Sequence, residues 1–285
     1  MGKPLSMQAR EAIGKQYGRQ HASQTTQAVM SAVKTFTEFV ENQYGLEKIE
    51  NLKAHMVDSY VSARLEDGIG TAQLTRDATA MRLLAEAIDK ANIVPRTNAE
   101  LGINRDMAER YSPQLANDEK LSEIRVALQD RAERTGEGVD KALVAAYDLR
   151  AEFGVRANES IMSRVAEIEG KLALEVLGAK GGRERTLEPQ NEGQVRALEQ
   201  YRDTSREIGN MNGKCIPPEM SSRQMYDYQR NTIRELGGTK ANGSNMHTQR
   251  HEYAQGRISS GADRLAVAEE LGHGREEVVH HYVKG

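Results

Sequence analysis

The stretch "HTQRHEYAQ", His247 to Gln255, holds two histidines four residues apart, with an arginine three residues after the first. On a helix, residues three and four apart are neighbours, so Arg250 and His251 both sit one turn after His247. The H-x-x-x-H spacing is that of a zinc-binding helix. A zinc hydrolase of that kind carries a glutamate directly after the first histidine as its general base. Here that position is Thr248, and no convincing third ligand is in view. His280 and His281 are adjacent, so they leave a helix in different directions and do not chelate together easily. The other chemistry open to His247 and Arg250 is a grip on a phosphate, where a guanidinium offers a planar fork of donors.

Other segments supply partners for such a grip. "EFGVRANES" places Arg156 just after a glycine at the end of an apolar helix, with Glu159 one turn on. "GAKGGRER" puts Lys180 at a glycine-rich turn, from which a long cation reaches outward. "ELGHGREEVVHHYVKG" adds His273 and then Tyr282. Each has a plain structural explanation when taken singly: a surface ion pair, a solvated turn lysine, a terminal aromatic.

Taken in order, Arg156, Lys180, His247-x-x-Arg250, Leu271-Gly272-His273 and Tyr282 resemble the catalytic signature of the tyrosine recombinase (phage integrase) family. The likeness is carried by "GVRANES", "GAKGGRER", "HTQRH" and "LGHGREEVVHHY", and extends over residues 113–285. It implies an enzyme that breaks and rejoins DNA at specific sites with no metal and no nucleotide cofactor. Tyr282 would attack a DNA phosphate to form a 3′-phosphotyrosyl link and release a 5′-hydroxyl. Arg156 and Arg250 would clamp the non-bridging oxygens, whose charge grows in the transition state. A tyrosine hydroxyl is protonated at neutral pH, so His247 would accept its proton. Lys180 would protonate the leaving oxygen, His273 would donate a hydrogen bond to the phosphate, and Glu159 would orient Arg156. His251 becomes a structural neighbour.

The sequence departs from the family at two places. The residue before the arginine of the His-x-x-Arg motif is usually apolar and here is Gln249, for which a local change of packing with no loss of chemistry is expected. Three residues follow Tyr282, where many members carry a segment that docks on a neighbouring protomer. The expected assembly is a monomer when free and a homotetramer on paired double-stranded target sites. It would be held by the N-terminal helices, the Tyr282 helix or the DNA, and would exchange strands through a Holliday junction. Two relatives in chemistry or ancestry remain open: a DNA-binding regulator that does not cut, and a type IB topoisomerase.

These residues need elements to position them. Residues 25–43 place Val29, Ala32, Val33, Phe36 and Val40 on one helical stripe, with Gly45 as a stop. "KAHMVDSYVSARLEDG" and "TAQLTRDATAMRLLAEAIDKANIVP" repeat the pattern, ending at Gly68 and Pro95. "RTNAELGINRDMAERYSPQLANDEK" breaks the periodicity, and the domain junction is expected near residue 112. Residues 1–112 are then an all-α, SAM-like core-binding bundle that holds DNA. Residues 113–285 are a mainly α catalytic domain with a small β-hairpin within "KLALEVLGAKGGRERTLEP", Lys171 to Pro189. Helices are expected at about 191–207, 221–236, 245–256, 263–271 and 274–283, with a sharp turn at His273 between Gly272 and Gly274.

Composition bounds this reading without choosing it. The chain has 285 residues, 38% hydrophobic and 28% charged, enough for two globular domains. With 3 Phe and no Trp, the cores must be built from aliphatic side chains, alanine and methionine. A net charge of −3 selects no partner, so phosphate contacts would come from local clusters such as "GKQYGRQHASQ" and "KGGRER". The single cysteine, Cys215, excludes an internal disulfide and a cysteine-rich zinc site and fits a reducing cytoplasm. No signal-peptide core and no membrane-length apolar run are evident, so a cytoplasmic, nucleoid-associated protein of bacterial, phage or plasmid origin is expected.

Overall fold

The computed structural model describes residues 2–17, 23–104, 115–178 and 183–273. The chain divides into two compact units, Met1–Glu109 and Arg110–Gly285. The junction expected near residue 112 lies outside the described residues, as does the helix expected over 274–283.

The first unit packs α1 (Leu5–Tyr17), α2 (Ser23–Tyr44), α3 (Ala54–Glu66) and α4 (Thr71–Ala87) around one core. The stripe expected on α2 is buried in full, and Phe36 meets Tyr60 edge-on at 5.2 Å between ring centroids. The buried carboxylate of Asp77 accepts hydrogen bonds from the Tyr60 hydroxyl, Arg64 and Gln73, so its charge is not left unpaired. Helix α1 was not anticipated, although Leu5, Ala9 and Ile13 recur every four residues and are all buried. Helix α4 stops well short of Pro95. Asp89 adopts a left-handed φ of 57°, which breaks the helix before a short 3₁₀ turn at Ala91–Ile93.

The second unit is built on α6 (Gly138–Phe153), whose residues from Ala142 to Arg150 are all buried. Around it lie α5 (Asp118–Thr135), the short α7 (Ala157–Met162), α8 (Glu192–Glu207), α9 (Ser222–Glu235), α10 (Thr248–Ser259) and α11 (Arg264–Glu270). Cys215 is buried in this core.

The expected hairpin is present as β2 (Lys171–Val176) and β3 (Arg185–Leu187), antiparallel with Val176 opposite Arg185. A third strand, β1 (Arg164–Ile168), pairs with β2 on its other edge, with Ile168 opposite Lys171. The two residues between them, Glu169 and Gly170, both have positive φ, 52° and 77°, as a type I′ hairpin turn requires. Asn-Gly or Asp-Gly would have advertised that turn, whereas Glu-Gly does not.

Candidate active site

Helix α6 ends at Gly154, which adopts φ 61° and donates its N–H to the Arg150 carbonyl. A side chain here would meet more than the cost of a left-handed backbone. A Cβ would lie 2.4 Å from Cδ1 of Tyr253 on α10. The absence of one lets α10 close against the end of α6, and the Gly154 carbonyl then accepts a hydrogen bond from Arg250 Nη1 at 2.7 Å.

Arg250 is 1% exposed. Its Nη2 donates to the Leu271 carbonyl at the end of α11 and lies 2.9 Å from His273 Nε2. A guanidinium has no acceptor, so His273 Nε2 must be unprotonated and its proton must sit on Nδ1. The ring is therefore neutral. Burial pulls its pKa down, and the charges of Arg250, Arg156, Arg185 and Arg183 add to this, taking it to about 3.

Arg156 stands at the N-terminus of α7, where Glu159 folds back on it. One Glu159 oxygen accepts the Arg156 backbone N–H at 2.9 Å, and the other accepts Arg156 Nη1 at 2.6 Å. Glu159 is 1% exposed and also takes Arg185 Nη2 at 3.3 Å. Burial alone would raise its pKa. The charge of Arg185 and the hydrogen bonds and charge of Arg156 outweigh that and hold the carboxyl below its ordinary value.

His247 precedes α10, and its ring meets that of His251 edge-on at 5.1 Å. Solvent reaches His247, yet desolvation by its surroundings, with Arg250 and Arg156, lowers its pKa to about 4. Among the described residues, no three His, Cys, Asp or Glu side chains gather as a metal-ligand set.

Four of the six expected residues are thus brought together from three separate segments: the charges of Arg156 and Arg250 both act on His247 and on His273. Lys180 and Tyr282, with His280 and His281, lie outside the described residues. Arg185 and Glu270 were missed. Arg185 on β3 bridges Glu159 and, through Nε, the Glu270 carbonyl at 2.7 Å, fastening the hairpin to the end of α11. Glu270 accepts from the Tyr253 hydroxyl and from both Nε and Nη2 of Arg257, which holds α11 to α10. Arg185 had a signal in principle: in a short strand pairing with β2, it sits opposite the buried Val176.

The cluster concentrates arginines around two neutral imidazoles, with the Glu159 carboxylate bonded to Arg156 and Arg185. Such a site attracts an anion and offers it many N–H donors. Gln249, the polar residue in place of the expected apolar one, is buried beneath it.

A mainly helical unit carrying a three-stranded antiparallel sheet, with arginine and histidine gathered in this order, has the fold of a tyrosine recombinase. Solved structures agree. XerH site-specific recombinase bound to palindromic difH substrate aligns with a TM-score of 0.68 and 17% identity, over 97% of this chain and 80% of that one. A lambda integrase tetramer bound to a Holliday junction aligns at 0.64 with 15% identity, over 99% and 77%. The Tn1549 transposon integrase in complex with transposon right end DNA aligns at 0.57 with 12% identity, over 97% and 95%. The search of curated proteins returned no match. Residues 110–256, just over half of the chain, match the integrase family, and the chain belongs to that family.

Proposed function

We propose that this integrase is a site-specific DNA recombinase that cleaves and rejoins strands through Tyr282, as in the movement of a mobile element. The observation that carries the proposal is the convergence of Arg156, Arg250, His247 and His273 on one cationic cluster in a recombinase fold.

The chemistry follows from the residues. The Tyr282 oxygen attacks phosphorus, and its proton passes to His247. The bond to the 5′-oxygen breaks, and Lys180 protonates that oxygen as it leaves. The 3′-phosphotyrosyl link preserves the energy of the phosphodiester, so a 5′-hydroxyl from another strand reverses the step without a nucleotide cofactor. The pentacoordinate state gains negative charge on its non-bridging oxygens, which the arginines offset. An anion entering the cluster also raises the proton affinity of His247 and His273, opposing the arginines that depress it. His247 thereby becomes a better base only when substrate is bound.

Residues 1–112 serve as the helical core-binding domain and residues 113–285 as the catalytic domain. Four protomers on two duplexes exchange strands through a Holliday junction, and the free protein is a monomer. The setting is the cytoplasm, at the nucleoid; no helix among the described residues is long and apolar enough to cross a membrane. XerH on its difH substrate and the lambda integrase tetramer on a Holliday junction support this scheme by their likeness in fold.

The test is exchange of flanking sequence between two duplexes carrying one site, selected for tight binding from a randomised pool. Recombinant products are expected in EDTA. Relaxation of supercoils without exchange would mark a topoisomerase, and binding without any strand cleavage would mark a regulator.

A further inference from the structure

Beneath the cluster lies a charge that the proposed reaction does not use. Arg150, on α6, is fully buried, and the acceptors bonded to its guanidinium are neutral. Its Nε donates to Gln249 Oε1 at 3.0 Å and its Nη1 to Gln229 Oε1 at 2.6 Å. Each glutamine uses its other end on backbone: Gln229 Nε2 donates to the Ala157 carbonyl at 3.0 Å, and Gln249 Nε2 to the Tyr147 carbonyl at 3.1 Å. Ala157 follows Arg156, and Gln249 precedes Arg250. The guanidinium also lies 5.3 Å from the Tyr147 ring centroid, within range of a cation–π contact.

A buried cation with no carboxylate bonded to it is an expensive way to fill a core, and apolar side chains of similar volume commonly do as well or better for stability. We propose that Arg150 is a positioning residue for phosphoryl transfer, which through Gln229 and Gln249 fixes the backbone at Arg156 relative to the backbone at Arg250. The polar residue at 249 is then the matched partner of Arg150. An apolar side chain there would leave Arg150 Nε without its acceptor, and a neutral residue at 150 would leave two buried amide oxygens without donors and each glutamine held at its Nε2 end alone. Burial lowers the Arg150 pKa to about 10, so the side chain remains cationic at neutral pH.

The proposal rests on the recombinase reading, and the experiment separates the two. Wild-type protein is incubated with nicked duplexes chosen from a randomised pool, and the covalent protein–DNA junction is mapped. Absence of any wild-type adduct refutes the recombinase reading and takes this proposal with it. Given an adduct, the mapped phosphate is replaced by a methylphosphonate, which removes the charge that the arginines face. Arg150→Met is expected to bind DNA within about 3-fold of wild type. It should form adduct about 100-fold more slowly on the phosphate, the scale of a small misplacement of reacting groups, but within about 10-fold of wild type on the methylphosphonate. Equal slowing on both substrates, or no slowing, overturns the proposal. Should Arg150→Met not fold, the all-apolar combination Arg150→Met, Gln229→Met and Gln249→Leu replaces it. That protein is expected to unfold at a temperature near wild type and still to show the phosphate-specific defect. Recovery of full activity along with stability, or failure of the combination to fold, overturns the proposal in favour of a purely structural role.

Discussion

Replacing Glu159 with glutamine keeps the shape of the side chain and removes one charge. In the native protein this buried carboxylate is the shared acceptor of the Arg156 N–H, Arg156 Nη1 and Arg185 Nη2. A glutamine offers one neutral oxygen and turns an NH₂ toward a guanidinium. Removing one partner of a buried ion pair typically costs about 3–5 kcal/mol. Arg156 is 27% exposed, so water recovers part of that for one of the two arginines. The expected loss is therefore about 3 kcal/mol, placed in the C-terminal unit. With a urea dependence of about 2 kcal/mol per molar, the midpoint of that unit's transition should fall by about 1.5 M at neutral pH. The gap should close in acid. The folded pKa of Glu159 lies below its unfolded value of 4.5, so its contribution is complete above 4.5 and is lost as pH falls through the folded pKa. A midpoint unchanged at neutral pH, or a gap that stays constant from neutral pH to well below 4.5, would refute the reasoning.

Gly154→Ala combines about 1 kcal/mol of left-handed strain with about 1–3 kcal/mol of overpacking against Tyr253, and it displaces the carbonyl that holds Arg250. Adding Tyr253→Leu should recover the packing part but not the strain, and a pair of losses that simply add would contradict the contact. In the DNA-free protein the rings of His273 and His247 should stay neutral down to about pH 5, with pKa values near 3 and 4 in place of 6.5. Because the unfolded chain takes up these protons first, the two groups make stability fall as pH drops below 6.5. Imidazole titration by NMR, assigned with His273→Asn and His247→Asn, checks this, and midpoints near 6.5 for both would contradict it.

The first-unit helix α2 was legible to within two residues because its buried stripe follows the helical period without interruption. The core of the hairpin was legible from its glycines. Strand β1 was not, because only its pairing with β2 distinguishes it from loop, and cross-strand pairing leaves no local pattern. Arg156, Glu159, Arg250 and His273 were named from residue type, order and spacing, and the folded chain brings them together. Arg185, Glu270 and Arg150 were not, because their partners lie from 13 to nearly 100 positions away, on other elements, or are backbone carbonyls. The substitution of Gln249 for an apolar residue was visible, but its cause was not: the buried Arg150 that it accepts from sits 99 positions earlier.

The central claim is that Tyr282 becomes covalently joined to DNA. Wild-type protein and Tyr282→Phe are mixed with the selected nicked duplex, denatured, digested with protease and analysed by mass spectrometry. The expected result is a 3′-phosphonucleotide on the peptide containing Tyr282 in the wild type, and no adduct from Tyr282→Phe despite unchanged DNA binding. An adduct on any other residue, or undiminished adduct from the phenylalanine variant, would contradict the account.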